Sequence, residues 1–301
     1  MRSFYPASIV LLIFILGLIF STSCGKDETN KDRPLRIKSL TTVYEYTMPS
    51  YTITSTIKYY YNSKNQQVAI STKDGQDSIS ISYGGDGRIS GMVIFISGSE
   101  KLNFHAEWNG KQLTMYYNPE KDAKLIYYFN DNDFVEKVEG IYFENNEWIT
   151  FRYDEYQWEN GNPVYFESYL LSSKASNRIG FFNEPNNSFL SDLTNFSLNI
   201  CADSLKGATL KKEFTSRLLF DGYKSPYCDS PVYRILIFEA WGLFSSNNPV
   251  QIITELYNSS GAVYKTDTNS YIYEYNSLSL PVKRTTHSEL NQTRTTSYLY
   301  E

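Results

Sequence analysis

Strict alternation is the feature that most restricts how this chain can fold. Ile53, Ser55, Ile57, Tyr59 and Tyr61 fall on one face of an extended segment, with Thr52, Thr54, Thr56 and Lys58 on the other. Ile79, Ile81 and Tyr83 alternate in the same way with Ser78, Ser80 and Ser82. A period of two held over six or more residues marks strands with one face buried. The 27 Tyr and 18 Phe suit a pleated, half-buried surface, so composition points the same way. Short polar clusters divide the strands: Asn62-Ser63-Lys64-Asn65, Gly84-Gly85-Asp86-Gly87, Asn109-Gly110, Asn130-Asp131-Asn132-Asp133 and Asn160-Gly161-Asn162-Pro163. Gly, Asn and Asp accept positive φ and close hairpins without strain.

The N-terminus obeys a different rule. Arg2 precedes an unbroken apolar run, Ile9 to Phe20, and Ser21-Thr22-Ser23 leads to Cys24. A run of 12 residues is too short to span a bilayer, for which a helix needs about 20. The pattern reads as a secretory signal. It resembles the bacterial lipoprotein signal, which implies cleavage before Cys24 and acylation of that cysteine. Ser21 stands where that signal usually has Leu. Lys26, Asp27 and Glu28 resemble the export signal of Bacteroidetes surface lipoproteins, and they also begin a charged tether. The expected organisation is a signal peptide over 1–23, a lipidated tether over 24–36 and a single β-domain over 37–301. Without residues 1–23 the chain carries 27 basic and 33 acidic residues, so 27 − 33 = −6. That balance argues against nucleic acid as a partner, which needs a basic footprint.

Within the β-domain a unit recurs. Tyr59-Tyr60-Tyr61-Asn62 leads to Val68, Ile81-Ser82-Tyr83-Gly84 to Arg88-Ile89, Tyr127-Tyr128-Phe129-Asn130 to Val135, and Tyr273-Glu274-Tyr275-Asn276 to Pro281-Val282. Each is an aromatic strand end, a polar turn and an aliphatic strand start. The irregular intervals indicate a hairpin meander more than a solenoid. The stretches Tyr83 to Ile89 and Tyr275 to Arg284 resemble the tyrosine/aspartate hairpin repeats of Rhs-type proteins. With the leader and the aromatic strand Ser297-Tyr298-Leu299-Tyr300, the chain is similar to a Bacteroidetes lipoprotein family of unknown function with a porin-like β fold. The resemblance implies an all-β protein, a large curved antiparallel meander forming a porin-like or open-barrel sheet. It brings no catalytic residues. One irregular excursion is expected at about 172–230, with Leu205 to Leu219 suited to a short helix. Cys201 and Cys228 flank part of it and are either a disulfide or two buried thiols.

Chemistry is sparse. His105 and His287 are far apart and sit in polar strands, so solvent-facing positions are expected for both. Asp131-Asn132-Asp133 lacks the glycine and distal glutamate of a calcium loop and reads as a hairpin turn. No nucleophile elbow, phosphate loop or dinucleotide fingerprint occurs. No metal or cofactor is expected, and the protein reads as non-enzymatic. Its expected place is the outer membrane, lipid-anchored and facing outward, with glycan or another extracellular macromolecule as ligand. A structural role beside envelope proteins is the alternative, and a hydrolase with paired carboxylates the second.

The nearest approach to a site is Glu147 to Trp158. Alternation puts Ile149, Phe151 and Tyr153 on the core side and Trp148, Thr150, Arg152, Asp154, Tyr156 and Trp158 on the other. That row would extend roughly 33 Å on a regular strand. It offers Trp148, Arg152, Tyr156 and Trp158 as ligand-binding residues, since flat rings beside charged groups suit sugars. The competing reading makes these tryptophans core.

Overall fold

Alternation and turn chemistry carry the chain into strands, as a computed structural model shows for residues 36–47, 50–72, 74–96, 98–116, 123–144, 146–171, 209–227, 245–288 and 292–301. All of these fall within one compact unit, Leu35–Glu301. The first strands are β1 (Ile37–Thr47), β2 (Ser50–Tyr61), β3 (Gln67–Thr72), β4 (Ser78–Tyr83), β5 (Ile89–Ile96) and β6 (Ser99–Asn109). Next come β7 (Gln112–Tyr116), β8 (Ala123–Phe129), β9 (Val135–Glu144), β10 (Glu147–Glu159) and β11 (Asn162–Leu171). The series ends with β12 (Leu210–Lys224), β13 (Asn247–Tyr257), β14 (Val263–Tyr275), β15 (Pro281–Ser288) and β16 (Gln292–Tyr300). Each pairs antiparallel with its neighbours, and β1 pairs with β16, so the sheet closes into a barrel. At the seam Leu40 faces Tyr298, Thr42 faces Thr296 and Tyr44 faces Arg294.

Closure gives each strand an inner and an outer face. Ile79, Leu113 and Val138 point inward with no exposed surface. Burying such a side chain stabilises the fold by about 1.5–3 kcal/mol each. The outer face carries Thr52, Thr54, Ser80, Ser82, Asn103, His105 and Glu107, all exposed. A barrel embedded in lipid has the opposite arrangement, an apolar outer band around a polar lumen. Leu219, Ile272 and Leu299 are more than half exposed, but they lie on β12, β14 and β16, which are not adjacent. They form no band.

One turn design recurs. The N–H of Asn62, Gly84, Asn130 and Asn276 donates to the carbonyl four residues on, at 2.8–3.0 Å. The fourth residue of each turn has positive φ: 68° at Asn65, 80° at Gly87, 59° at Asp133 and 59° at Ser279. In three of the turns the leading Asn side chain also accepts from the third and fifth N–H groups. Asp131-Asn132-Asp133 is therefore the body of a hairpin turn, as expected.

The aromatic strand ends have a shared task. Tyr61, Tyr83 and Tyr300 donate their hydroxyls to the carbonyls of Ile37, Gln67 and Pro281, at 3.1, 2.7 and 2.7 Å. Trp108 and Trp158 donate their indole N–H to the carbonyls of Ile89 and Val135, at 2.9 and 2.7 Å. In each case the acceptor is the first residue of the preceding strand, so these bonds line one rim.

The excursion expected over 172–230 is shorter at its C-terminal side, because residues 210–224 form β12 and not a helix. Phe214, Ser216 and Leu218 face the core between outward Thr215, Arg217 and Leu219. Strand pairing on both sides overrides the helix-forming Lys, Glu and Leu residues that suggested otherwise. Val250 to Tyr257 joins β13 as its alternation predicts. Val232 to Phe238, where alternation also predicts a strand, lies outside the described residues.

The rim bonds can be tested singly. Tyr83→Phe removes one donor and leaves the Gln67 carbonyl without that partner, which should lower stability by about 1 kcal/mol. Urea unfolding of the full chain measures this, and an unchanged midpoint would deny the bond a stabilising role.

Candidate ligand-binding face

The row proposed on Glu147 to Trp158 does not form. The ladder between β9 and β10 slips between Thr150 and Arg152, so Phe151 is an extra residue and the alternation inverts there. Trp148 stays outside, 46% exposed, against Phe143 and under Lys124 Nζ, 4.1 Å from the ring centroid. Arg152, Asp154 and Tyr156 turn inward, at 5%, 0% and 7% exposure. Trp158 is half-buried, stacked on Phe134 with centroids 4.5 Å apart. Glycine makes the inversion possible. A Cβ on Gly140, the partner of Arg152, would lie 2.6 Å from Phe151 Cζ, so only glycine leaves room for the ring.

The inversion brings different residues to the surface. Tyr153 and Glu155 now face outward, and outward groups continue across β8 to β13. Five tyrosines there donate to glutamates: Tyr128 to Glu139, Tyr153 to Glu155, Tyr165 and Tyr169 to Glu167, and Tyr257 to Glu255. Lys212 Nζ donates to Glu167 Oε2 at 2.6 Å and lies 5.3 and 5.7 Å from the Tyr169 and Tyr257 ring centroids. Lys137 pairs with Glu139 at 2.8 Å and covers Tyr128 at 4.2 Å. Glu136, Lys137, Glu155, Gln157, Tyr165 and Glu167 border a shallow depression of about 280 Å³.

Charge on this face is fixed by the network. Burial pushes the Glu167 carboxyl up, but hydrogen bonds from Lys212, Tyr169 and Tyr165 together hold it below its usual range. The Glu167 bond raises Lys212 further above the ordinary lysine value. Burial, reinforced by Glu139, pushes the Tyr128 hydroxyl up to about 12. At neutral pH Glu167 is therefore a carboxylate, Lys212 an ammonium group and Tyr128 a neutral phenol.

No family model and no curated protein matches this chain. It is similar to solved structures at low overlap. A porin-like protein from Bacteroides uniformis is 11% identical, with a TM-score of 0.44, covering 88% of this chain and 96% of that one. One from Bacteroides vulgatus is 7% identical, with a TM-score of 0.40, covering 88% and 98%. The TcdB2-TccC3 structure without its hypervariable C-terminal region is 9% identical at a TM-score of 0.22, covering 82% of this chain and 14% of that one. Overlaps this slight carry no inference about what the chain does.

The other expected site residues divide in two. Cys24, Lys26, Asp27, Glu28, Cys201 and Cys228 lie outside the described residues. His105 and His287 are exposed strand residues, as expected. Among the described residues no group of three or more His, Cys, Asp or Glu is placed to hold a metal. The outer tyrosines and glutamates were not singled out from sequence, although their spacing was legible. Tyr153-x-Glu155, Tyr165-x-Glu167-x-Tyr169 and Glu255-x-Tyr257 each place their members on one face of a strand.

Behind this face lies a buried ionic group. Arg152 Nε donates to Asp154 Oδ2 at 2.7 Å. Glu213, the extra residue where β12 slips against β11, faces the same pair. Burial pushes the Glu213 carboxyl up to about 7, with Arg152 opposing and Asp154 adding to the shift. The native state then holds this proton more tightly than the unfolded chain. Stability from it is complete below about pH 4.5, the ordinary value, and is lost as pH rises toward 7. Glu213→Gln should flatten that part of the profile by on the order of 2–3 kcal/mol. Urea unfolding of both proteins from pH 4 to 8 checks it, and parallel profiles would contradict it.

Proposed function

We propose that this protein is a lipid-anchored, outward-facing component of the outer membrane that binds glycan on the outer face of β8 to β13. The leader ending at Cys24 and the charged residues Lys26, Asp27 and Glu28 support the location. Among the described residues the outer face is largely polar, and its exposed apolar side chains are scattered or in small groups such as Phe143 with Trp148, which supports an anchor over direct insertion. Binding and not catalysis fits a face whose carboxylates are held by hydroxyls and lysines.

The five Tyr–Glu pairs carry the ligand reading. Sugars present apolar ring faces with hydroxyls at the rim. Tyrosine rings held in place by glutamates offer the matching surface, and the glutamates and lysines supply acceptors and donors at its margins. Six adjacent strands at ~4.8 Å spacing make this face about 24 Å across, long enough for an oligosaccharide to lie along it. Tyr153 and Tyr169 stand at its centre as a directly opposed pair, with ring centroids 6.0 Å apart.

Titration of the full chain with soluble polysaccharides by calorimetry tests this reading. At least one should bind, and Tyr153→Ala or Tyr169→Ala should weaken it at least about tenfold, a loss of about 1.4 kcal/mol. Stability should change by less than about 1 kcal/mol, since neither residue is core. Wild-type affinity in both variants would remove the site from this face.

A further inference from the structure

The inner face of the barrel holds two arginines that no carboxylate answers among the described residues. Arg284 on β15 and Arg294 on β16 point inward, since they share a face with Thr286, Thr296 and Tyr298, which are 7%, 1% and 9% exposed. Across the ladder Arg284 is opposite Thr296, and Thr286 is opposite Arg294. The two guanidinium groups are therefore diagonal neighbours on one wall. A guanidinium group is a fixed positive charge with five N–H donors and no acceptor.

Their surroundings supply rings and hydroxyls. Arg284 lies 5.5 Å from the Tyr271 ring centroid, with Tyr273, Tyr298 and Tyr227 close by. Arg294 lies 4.6 Å from that of Tyr44. Arg284 also donates to the Tyr273 hydroxyl, but ring faces accept poorly from the remaining N–H groups. The Nε–H of each arginine is buried without an acceptor among the described residues, and the Thr286 hydroxyl beside them also lacks a partner. Among the described residues the inward carboxylates are committed elsewhere: Asp154 and Glu213 face Arg152, and Asp267 pairs with Lys265 at 2.8 Å. Two enclosed positive charges that no described carboxylate answers are costly, and an anion that accepts from both removes that cost. Arginine is also the side chain best shaped to hold oxygen pairs of a carboxylate, sulfate or phosphate group.

We propose that Arg284 and Arg294, with the Thr286 hydroxyl, bind an oxyanion inside the barrel. The site takes a carboxylate, sulfate or phosphate group, either free or carried on a larger molecule. It is independent of the outer tyrosine face, because it lies on other strands and on the opposite side of the sheet.

The test is calorimetric titration of the full-length protein with sodium sulfate, phosphate and acetate, at ionic strength matched with sodium chloride. One of the three should bind saturably at one site per chain and raise the melting temperature. The tetrahedral anions against acetate decide which geometry the site prefers. Arg284→Met and Arg294→Met should each weaken that anion at least tenfold, and Arg217→Met, on the outer face, should leave it unchanged. Without anion, Arg284→Met should melt no lower than the parent, because it removes an enclosed, unanswered charge. Thr286→Val, which deletes only a hydroxyl, gives a milder variant and should weaken binding several-fold even if the arginine variants fail to fold. Absence of saturable binding by all three anions would overturn the proposal. So would a loss of melting temperature in Arg284→Met that is the same with and without anion.

Discussion

The backbone ladder between β1 and β16 removes the two edges that a sixteen-strand meander would otherwise leave. An open edge presents unpaired N–H and C=O groups to any passing strand, and closure satisfies them all within the chain. It also fixes what each residue's parity means. In a closed ring every second side chain is inside, so Ile79 and Val138 can be buried completely while Ser80 and Glu139 stand outside. Only a bulge changes that assignment. Two of them, at Phe151 in β10 and at Glu213 in β12, decide the chemistry of the neighbouring faces.

Local signals of the fold were readable in the residues. A leading Asn or Gly and a fourth residue with positive φ recur in the turns, and at several strand ends the aromatic residue, Tyr61, Tyr83 or Trp108, proves to be a donor that ties the rim. Alternation separated inner from outer on β2 and β4 correctly. It failed on β10, because one inserted residue reverses every position after it and leaves no mark in composition. Gly140 is the only trace, and its meaning depends on knowing that Phe151 lies across it. Residues 210–224 misled in another way, since Lys, Glu and Leu favour a helix until two flanking strands are present to pair with. Closure itself had no local signal, because β1 and β16 lie at opposite ends of the domain.

Inner and outer faces divide the work. Outside, tyrosine and glutamate at a spacing of two build a polar aromatic surface whose hydroxyls and carboxylates are mutually satisfied. Inside, the lining changes around the ring. From β2 to β9 it is largely aliphatic, with Ile57, Ile70, Met92, Leu113 and Leu125. From β10 to β1 it includes Arg152, Asp154, Ser168, Ser216, Arg284, Arg294 and Thr296. Burying so many polar groups is costly unless each finds a partner. Ser216 and Thr254 hydrogen-bond at 2.8 Å, Thr42 and Thr296 at 3.1 Å, and Arg152 has Asp154. The Nε–H groups of Arg284 and Arg294 find no such partner among the described residues.

This barrel turns its polar face outward to water while its apolar face is enclosed. Nitroxide labels at Thr54, Ser80 and Thr295, one at a time on the full protein in lipid vesicles, test it directly by collision with a water-soluble nickel complex and with oxygen. All three positions should favour the nickel complex, as groups in water do. Preferential collision with oxygen around the ring would mean that the outer face lies in lipid, and would contradict the account.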